Sequence, residues 1–394
     1  MDSIMTTATF FTIETDVTLT AMNYDAELNN TSPGMADALP DGCLYVRHAP
    51  GQNTDDLVSA EFQRSFSKFL RAALLTVMFV IGSPMNIMNM VVFVKHGLKE
   101  RINLCLFCLS FSDFTVIFAH FIWGLDWAVR DITGDYTKYP VYRVFINNYI
   151  IALAGFIYVS SFMSTVIACE RWACVVSPIK AKTIISTKTM GVIIFCAHVI
   201  ILGAHFIIAA KWRIVCLFDP ETGLTLDAIS SSQFFRENYD LVNAFDGIVF
   251  GVLIPGLCLT GVTVATAGTV LKLKQLAAWR EQSSSAATLT SRDVALTRML
   301  IGISVLFIVC TTPGFVFHTA IMFVPGLSVG GKYSNTFSLL INIQQLCTYI
   351  NSSVNFFVYL ATGTKYRETV RAMFCRPADP TNRSMSVETT RTTA

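Results

Sequence analysis

Seven stretches of this chain are apolar almost without interruption. The runs 72–94, 102–125, 144–169, 189–210, 241–271, 299–323 and 333–361 all reach the roughly 20 residues that a helix needs to cross a hydrocarbon core. None reads as a soluble strand, so the bilayer is the solvent of this fold. The pattern predicts an all-α membrane protein, a seven-transmembrane helix bundle. Its spans fall at about 69–94, 102–127, 144–173, 189–210, 241–271, 297–323 and 335–361. A short cytoplasmic interfacial helix is predicted at 364–375, where Tyr366, Val370 and Phe374 stand four apart on one face. Residues 1–66 read as an extracellular disordered tail and 376–394 as a cytoplasmic tail.

Composition agrees with the pattern. Hydrophobic residues make up 53% of the chain and charged residues 14%, against about 25% charged in soluble domains. The net charge of +2 hides a split, because residues 1–60 hold nine acids and one base, Arg47. Basic residues in short loops are retained in the cytoplasm. An outside amino terminus places Lys95, Lys99, Arg101, Arg171, Lys180, Lys182, Lys188, Lys272, Lys274, Arg280, Arg292 and Arg298 inside, with Arg367, Arg371 and Arg376 of the tail. Arg64, Lys68 and Arg71 oppose this vote at the first span, so the later loops decide it. Residues 1–17 lack a basic start and carry Glu14 and Asp16, so no secretory signal is expected and the first span serves for export. The expected location is the plasma membrane, multi-pass, with the amino terminus extracellular and the carboxyl terminus cytoplasmic. Asn29 and Asn30 sit in glycosylation sequons, which fits an exported tail.

Eleven cysteines suggest a disulfide scaffold until they are placed. Cys105, Cys108, Cys169, Cys196, Cys258, Cys310 and Cys347 fall in spans, where a thiol packs as a small hydrophobe. Cys43 and Cys216 fall on the outer side and are a candidate bridge. Cys375 follows the interfacial helix and is a candidate for lipidation. Hydroxyls at 283–285 and 381–393 are accessible for phosphorylation, although such tails also serve solubility.

An ionisable group inside a span is costly, so each is a functional candidate. Asp113 lies mid-span in the second run. Asn351, Asn355 and Tyr359 are spaced four apart on one face of the seventh, beside Ser352. Ser160 and Arg171, eleven apart, share a face of the third, and Asn86 adds an amide from the first. These residues predict a buried polar cluster around Asp113. Two readings of it stand: a site for a hard monovalent cation such as sodium, held by oxygen ligands, or hydrogen bonds from helix to helix. Glu170 and Arg171 close the third run and Asp293 opens the sixth, so an Arg171 to Asp293 contact is expected as a switchable tie. Asp293, Phe307, Thr311 and His318 fall on one stripe of the sixth run. Pro84, Pro255 and Pro313 predict kinks, with Pro313 the expected hinge.

In register, these positions resemble the rhodopsin-like family of G protein-coupled receptors from about Asn86 to Cys375. The likeness rests on Asn86, Asn103, Leu109-Ser110 and Asp113, Ser160, Glu170-Arg171-Trp172, Pro178, Pro255, Phe307, Cys310 and Pro313, and Asn351-Ser352-Ser353-Val354-Asn355 with Tyr359. The resemblance implies a receptor whose outer half binds an agonist and whose inner half admits a heterotrimeric G protein, then arrestin and a receptor kinase. It implies that Asp113, Ser160, Asn351 and Asn355 form a sodium site, and that Glu170, Arg171, Asp293 and Tyr359 switch coupling. No further cofactor, no nucleic acid and no enzyme activity is expected, and membrane lipid surrounds the bundle.

The chain also departs from the pattern. The family's tryptophan before the sixth-span proline is Thr311, its seventh-span proline is Phe356, its fifth-span tyrosine is Thr263, and its usual third-span cysteine is Ile146. Cys216 must therefore pair with Cys43 or stay free. Leu153 stands where aminergic receptors keep a carboxylate, and Tyr349 where visual pigments keep the retinal lysine. Trp123, His318 and Gln345, with Leu153, Thr311 and Tyr349, are then the expected lining of a pocket for an extracellular peptide or a small chemosensory molecule. The ending of the seventh span resembles invertebrate neuropeptide receptors and gastropod chemosensory receptors alike. Asp246 has no role that the resemblance supplies. The rival class is an ion channel or secondary transporter with a mid-membrane cation site, which would need the repeated halves that this chain lacks.

Overall fold

A computed structural model describes residues 43–45, 56–133, 153–177, 180–181, 185–219, 224–282, 291–328 and 331–374. Seven long helices form one bundle. α1 spans Ala60–His96, α2 Arg101–Thr133, α3 Phe156–Val176 and α4 Thr187–Ala209. α5 runs on from Tyr239–Ala244 through a π segment, Phe245–Leu253, into Ile254–Gln282. α6 is Ser291–Phe323 and α7 is Ser334–Thr362. A separate amphipathic helix, α8, follows at Thr364–Phe374.

Helices α1, α2, α3, α5, α6 and α7 close a ring by successive contacts, and α4 lies outside it against α2 and α3. α3 also reaches α6, so it packs against α2, α4, α5 and α6. Its position explains why Tyr158, Val159, Met163 and Ile167 are buried. α4 instead leaves Val192, Phe195, Val199, Ile200 and Phe206 exposed. Water would penalise such a band, whereas acyl chains are its natural solvent.

Six of the described helices are long and apolar enough to cross a membrane. α7 is the seventh of the bundle by its packing, but amides and hydroxyls at Asn342, Gln344, Gln345, Thr348 and Asn351 make it the least hydrophobic. Hydroxyls on lipid-facing turns are satisfied internally. Thr115 donates to the Phe111 carbonyl at 2.9 Å, Thr263 to Leu259 at 2.7 Å and Thr312 to Ile308 at 2.6 Å.

The first helix begins inside the stretch that composition assigned to a tail. Ser59 caps it, its hydroxyl accepting from the Phe62 amide at 3.3 Å, and Glu61 follows in the first turn. Pro84 and Pro313 sit inside continuous helices, α1 and α6. Pro255 follows the nine-residue π segment, whose wider turn accommodates a residue without an N–H.

Gly82 marks the tightest approach of α1 to its neighbours. A Cβ there would stand 2.7 Å from the Ser353 hydroxyl of α7 and 2.9 Å from an Ile117 methyl of α2. In α8, Tyr366 and Val370 are buried as the pattern predicts. Phe374, in the last turn, is exposed.

The chain also contains a small sheet that hydropathy did not foresee. β2, Trp212–Asp219, and β3, Leu224–Ser231, form an antiparallel hairpin between α4 and α5, and β1, Cys43–Tyr45, adds to β2 in parallel. This sheet marks one end of the bundle, the hairpin end. Arg171 and α8 lie at the other.

Candidate functional site

Four helices bring their polar residues to one point between these ends. Asp113 of α2 is fully buried. The Ser160 hydroxyl of α3 donates to its Oδ1 at 2.7 Å, and the Asn355 amide of α7 donates to its Oδ2 at 2.8 Å. Asn86 of α1 donates to the Ser352 carbonyl at 2.8 Å and to the Gly82 carbonyl at 3.1 Å. The contact between Asn86 and α7 is possible because Gly82, one turn earlier, has no side chain to hold the helices apart.

These bonds leave acceptors over. Asn86 Oδ1 and Asn355 Oδ1 are buried without a hydrogen-bond partner, as is the Ser353 hydroxyl. One carboxylate with surplus amide and hydroxyl oxygens fits a hard monovalent cation. Among the described residues no group of three His, Cys, Asp or Glu offers a site for a metal that needs several such ligands. Asn351 does not bond to Asp113. It lines a neighbouring cavity instead.

That cavity has a volume of about 60 Å³ and lies between α3, α5, α6 and α7. Tyr158, Ser160, Pro255, Thr311, His318 and Gln344 are among its walls. The His318 ring Nε2 is 3.0 Å from Gln344 Oε1, tying α6 to α7. The space suits about two waters, so a drug-sized ligand of roughly 300 Å³ or more requires it to open.

Along α7, Gln344, Thr348, Asn351, Ser352 and Asn355 follow helical spacing and form one continuous polar face. Gln345 and Tyr349, expected in the pocket, stand about 100° round the helix from Gln344 and Thr348, their neighbours in the cavity wall. Tyr349 packs edge-on against His120, with ring centroids 5.1 Å apart. Trp123 and Leu153 pack with Ala119, between α2 and the residues leading into α3. Of the six expected pocket residues, the cavity gathers Thr311 and His318.

At the Arg171 end, the Glu170 carboxylate accepts from Arg171 Nε and is ion-paired to its guanidinium. A second arginine shares that carboxylate. Arg101, in the first turn of α2, stands 3.6 Å from Glu170 Oε1. It also donates to the Ile185 carbonyl at 2.7 Å and to the Ala181 carbonyl. Glu170 therefore ties α3 to α2, and through Arg101 to the stretch leading into α4. The Asp293 backbone lies in the first turn of α6, but its side chain is outside the described residues, as are Asn29, Asn30 and Cys375. Tyr359 is fully buried, edge-on to Phe93 with centroids 5.3 Å apart, and Tyr366 of α8 donates to Asn89 of α1 at 2.5 Å.

Two ties at the hairpin end escaped the sequence reading. Asp246, which had no assigned role, pairs with Lys211 at 2.7 Å, and both are almost fully buried. Opposite charges just after one apolar run and near the start of the next were the available signal. Asp56 accepts from the Asn335 amide at 2.7 Å and from the Thr336 amide and hydroxyl. It thereby caps α7 from 279 residues away in sequence. Burial pushes the Asp56 carboxyl up, but the Thr336 hydroxyl and the amides of Asn335, Val58 and Thr336 outweigh it and hold it below the ordinary carboxylate value. The register of β1 on β2 sets Cys43 opposite Cys216.

A sequence profile of the family described as 7 transmembrane receptor (rhodopsin family) matches residues 85–359, which include Asn86, Asp113, Ser160, Ser352 and Asn355 of the central cluster. The FMRFamide receptor of Drosophila melanogaster is 22% identical over 309 residues, 76% of this chain and 53% of that protein. The chain thus spans about half the length of the curated relative it matches.

Proposed function

Because the chain belongs to the rhodopsin family of seven-transmembrane receptors, we propose that it is a plasma-membrane receptor for an extracellular neuropeptide of the FMRFamide kind. The hairpin end faces outward and the Arg171 end meets a heterotrimeric G protein, followed by arrestin and a receptor kinase. The relative's name favours a peptide over a small chemosensory molecule.

One observation carries the reading: α3 belongs to both polar centres, through Ser160 to Asp113 and through Glu170 to Arg171. A shift of α3 against α2 and α7 changes both at once. Agonist binding then moves a population between two packings by its differential affinity for them. Agonist opens the cavity at His318 and Gln344, α6 pivots about Pro313, and Arg171 leaves Glu170. Asp293 is the further partner proposed for Arg171 at rest, and Tyr359 is proposed to help remake the core when α6 moves.

Asp113, Ser160, Asn351 and Asn355 would hold sodium, which favours the closed packing. The test is expression in cells with a promiscuous G protein, challenged with amidated peptide and odorant libraries. An amidated peptide should evoke coupling, and Arg171→Ala should abolish it while surface binding of that peptide persists. Ligand-evoked current independent of G protein would replace this reading with the channel alternative. Sodium should lower agonist affinity in the unmodified receptor and lose that effect in Asp113→Asn. An unchanged sodium effect in that variant would remove the cation site.

A further inference from the structure

The sheet at the hairpin end uses residues that neither the central cluster nor the cavity needs. β1 is three residues long and pairs in parallel with β2, Cys43 opposite Cys216, Leu44 opposite Leu217 and Tyr45 opposite Phe218. So short a strand makes few ladder bonds. A covalent tie would add to its hold. Neighbouring strands run about 4.8 Å apart, inside the roughly 4.4–6.8 Å range of Cα separations that a disulfide accepts. Opposed residues on adjacent strands also have their Cβ atoms on one face of a sheet, the second geometric requirement.

We propose that Cys43 and Cys216 are joined by a disulfide that fastens the amino-terminal region to the β2–β3 hairpin. The proposal rests on the reading of the hairpin end as the outward side, where oxidation is permitted. The two thiols give up two protons and two electrons to a protein disulfide of the secretory lumen. One S–S bond forms here, and the donor's S–S bond breaks to leave a dithiol. Thirteen residues beyond Cys43, Asp56 is bound to the start of α7. The bridge thus adds a covalent anchor near α4 and α5 to a polar anchor on α7. Both lie at the end where ligand is proposed to enter.

Trypsin gives a direct test on the full chain. Arg47 ends the first tryptic peptide, 1–47, in which Cys43 is the lone cysteine, and Arg213 and Arg236 bound the peptide 214–236, which holds Cys216 alone. Cells expressing the receptor are blocked with N-ethylmaleimide, and membranes are digested without reductant, deglycosylated and analysed by mass spectrometry. The expected species has the summed mass of the two peptides less two hydrogens and separates into them on reduction. Maleimide adducts on both peptides, or either cysteine linked elsewhere, would overturn the proposal.

Cys43→Ser supplies a second readout. It should expose Cys216 to a membrane-impermeant maleimide on intact cells, where the unmodified receptor is unlabelled at that position. Equal labelling of Cys216 in both proteins refutes the bridge while leaving the receptor reading intact. Labelling only after permeabilisation overturns the bridge together with the orientation. A linked peptide in a protein that activates no G protein would leave the bridge standing and sink the receptor reading.

Discussion

Glu170 shows how one side chain gains a role from its neighbours. Sequence pairs it with Arg171, its nearest cation, yet the carboxylate also meets Arg101 from another helix. Arginine suits that position because a planar guanidinium serves a carboxylate and two carbonyls together, which a lysine point charge cannot. Arg101→Lys should keep the attraction to Glu170 and lose the carbonyl fork. Hydrogen exchange of the amides at 185–189 should then speed up several-fold, and exchange equal to that of the unmodified receptor would show that the fork holds nothing.

Helix ends are where this fold uses its few charges, and two of them make element-scale predictions. Asp56 accepts from the second and third amides of α7 as an N-cap would, so Asp56→Ala should cost about 1 kcal/mol, toward the low end because the group is partly exposed. The folded carboxyl titrates below its ordinary value, so its stabilisation is complete above about pH 4 and is lost as pH falls through the depressed value. The melting temperatures of the two purified proteins should therefore differ at pH 6 and converge toward pH 3. Divergence on acidification would refute the cap. Lys211 and Asp246 join α4 to α5 while almost fully buried. Lys211→Met strands a carboxylate and should cost about 3–5 kcal/mol, whereas Lys211→Met with Asp246→Leu should recover most of it. Thermal denaturation of the single and double variants in detergent reads the difference.

At the scale of the whole molecule, the lipid-facing band and the polar interior are two sides of one pattern. Cys196 is exposed midway along α4 among Val192, Ile193, Phe195, Val199 and Ile200. A charged, water-soluble maleimide should leave Cys196 unmodified in intact membranes, although a lipophilic maleimide should reach it. Rapid labelling by the charged reagent would place α4 in water and break the bundle arrangement.

The seven helices and α8 were legible in the sequence because twenty apolar residues in lipid leave the backbone one economical structure. Asp113 with Ser160 and Asn355 was legible too, since an intramembrane carboxylate must find partners and helical spacing limits the choice. Rotations of a single residue were not, because Gln344 and Gln345 offer the same chemistry and only the packing of α6 against α7 selects which faces His318. Nor were Asp56 on α7, Lys211 with Asp246, or Arg101 on Glu170, whose partners lie 279, 35 and 69 residues away. Local pattern fixes how each segment meets its solvent. Pairing across such separations depends on which helix ends the closed bundle brings together, and that is decided in three dimensions.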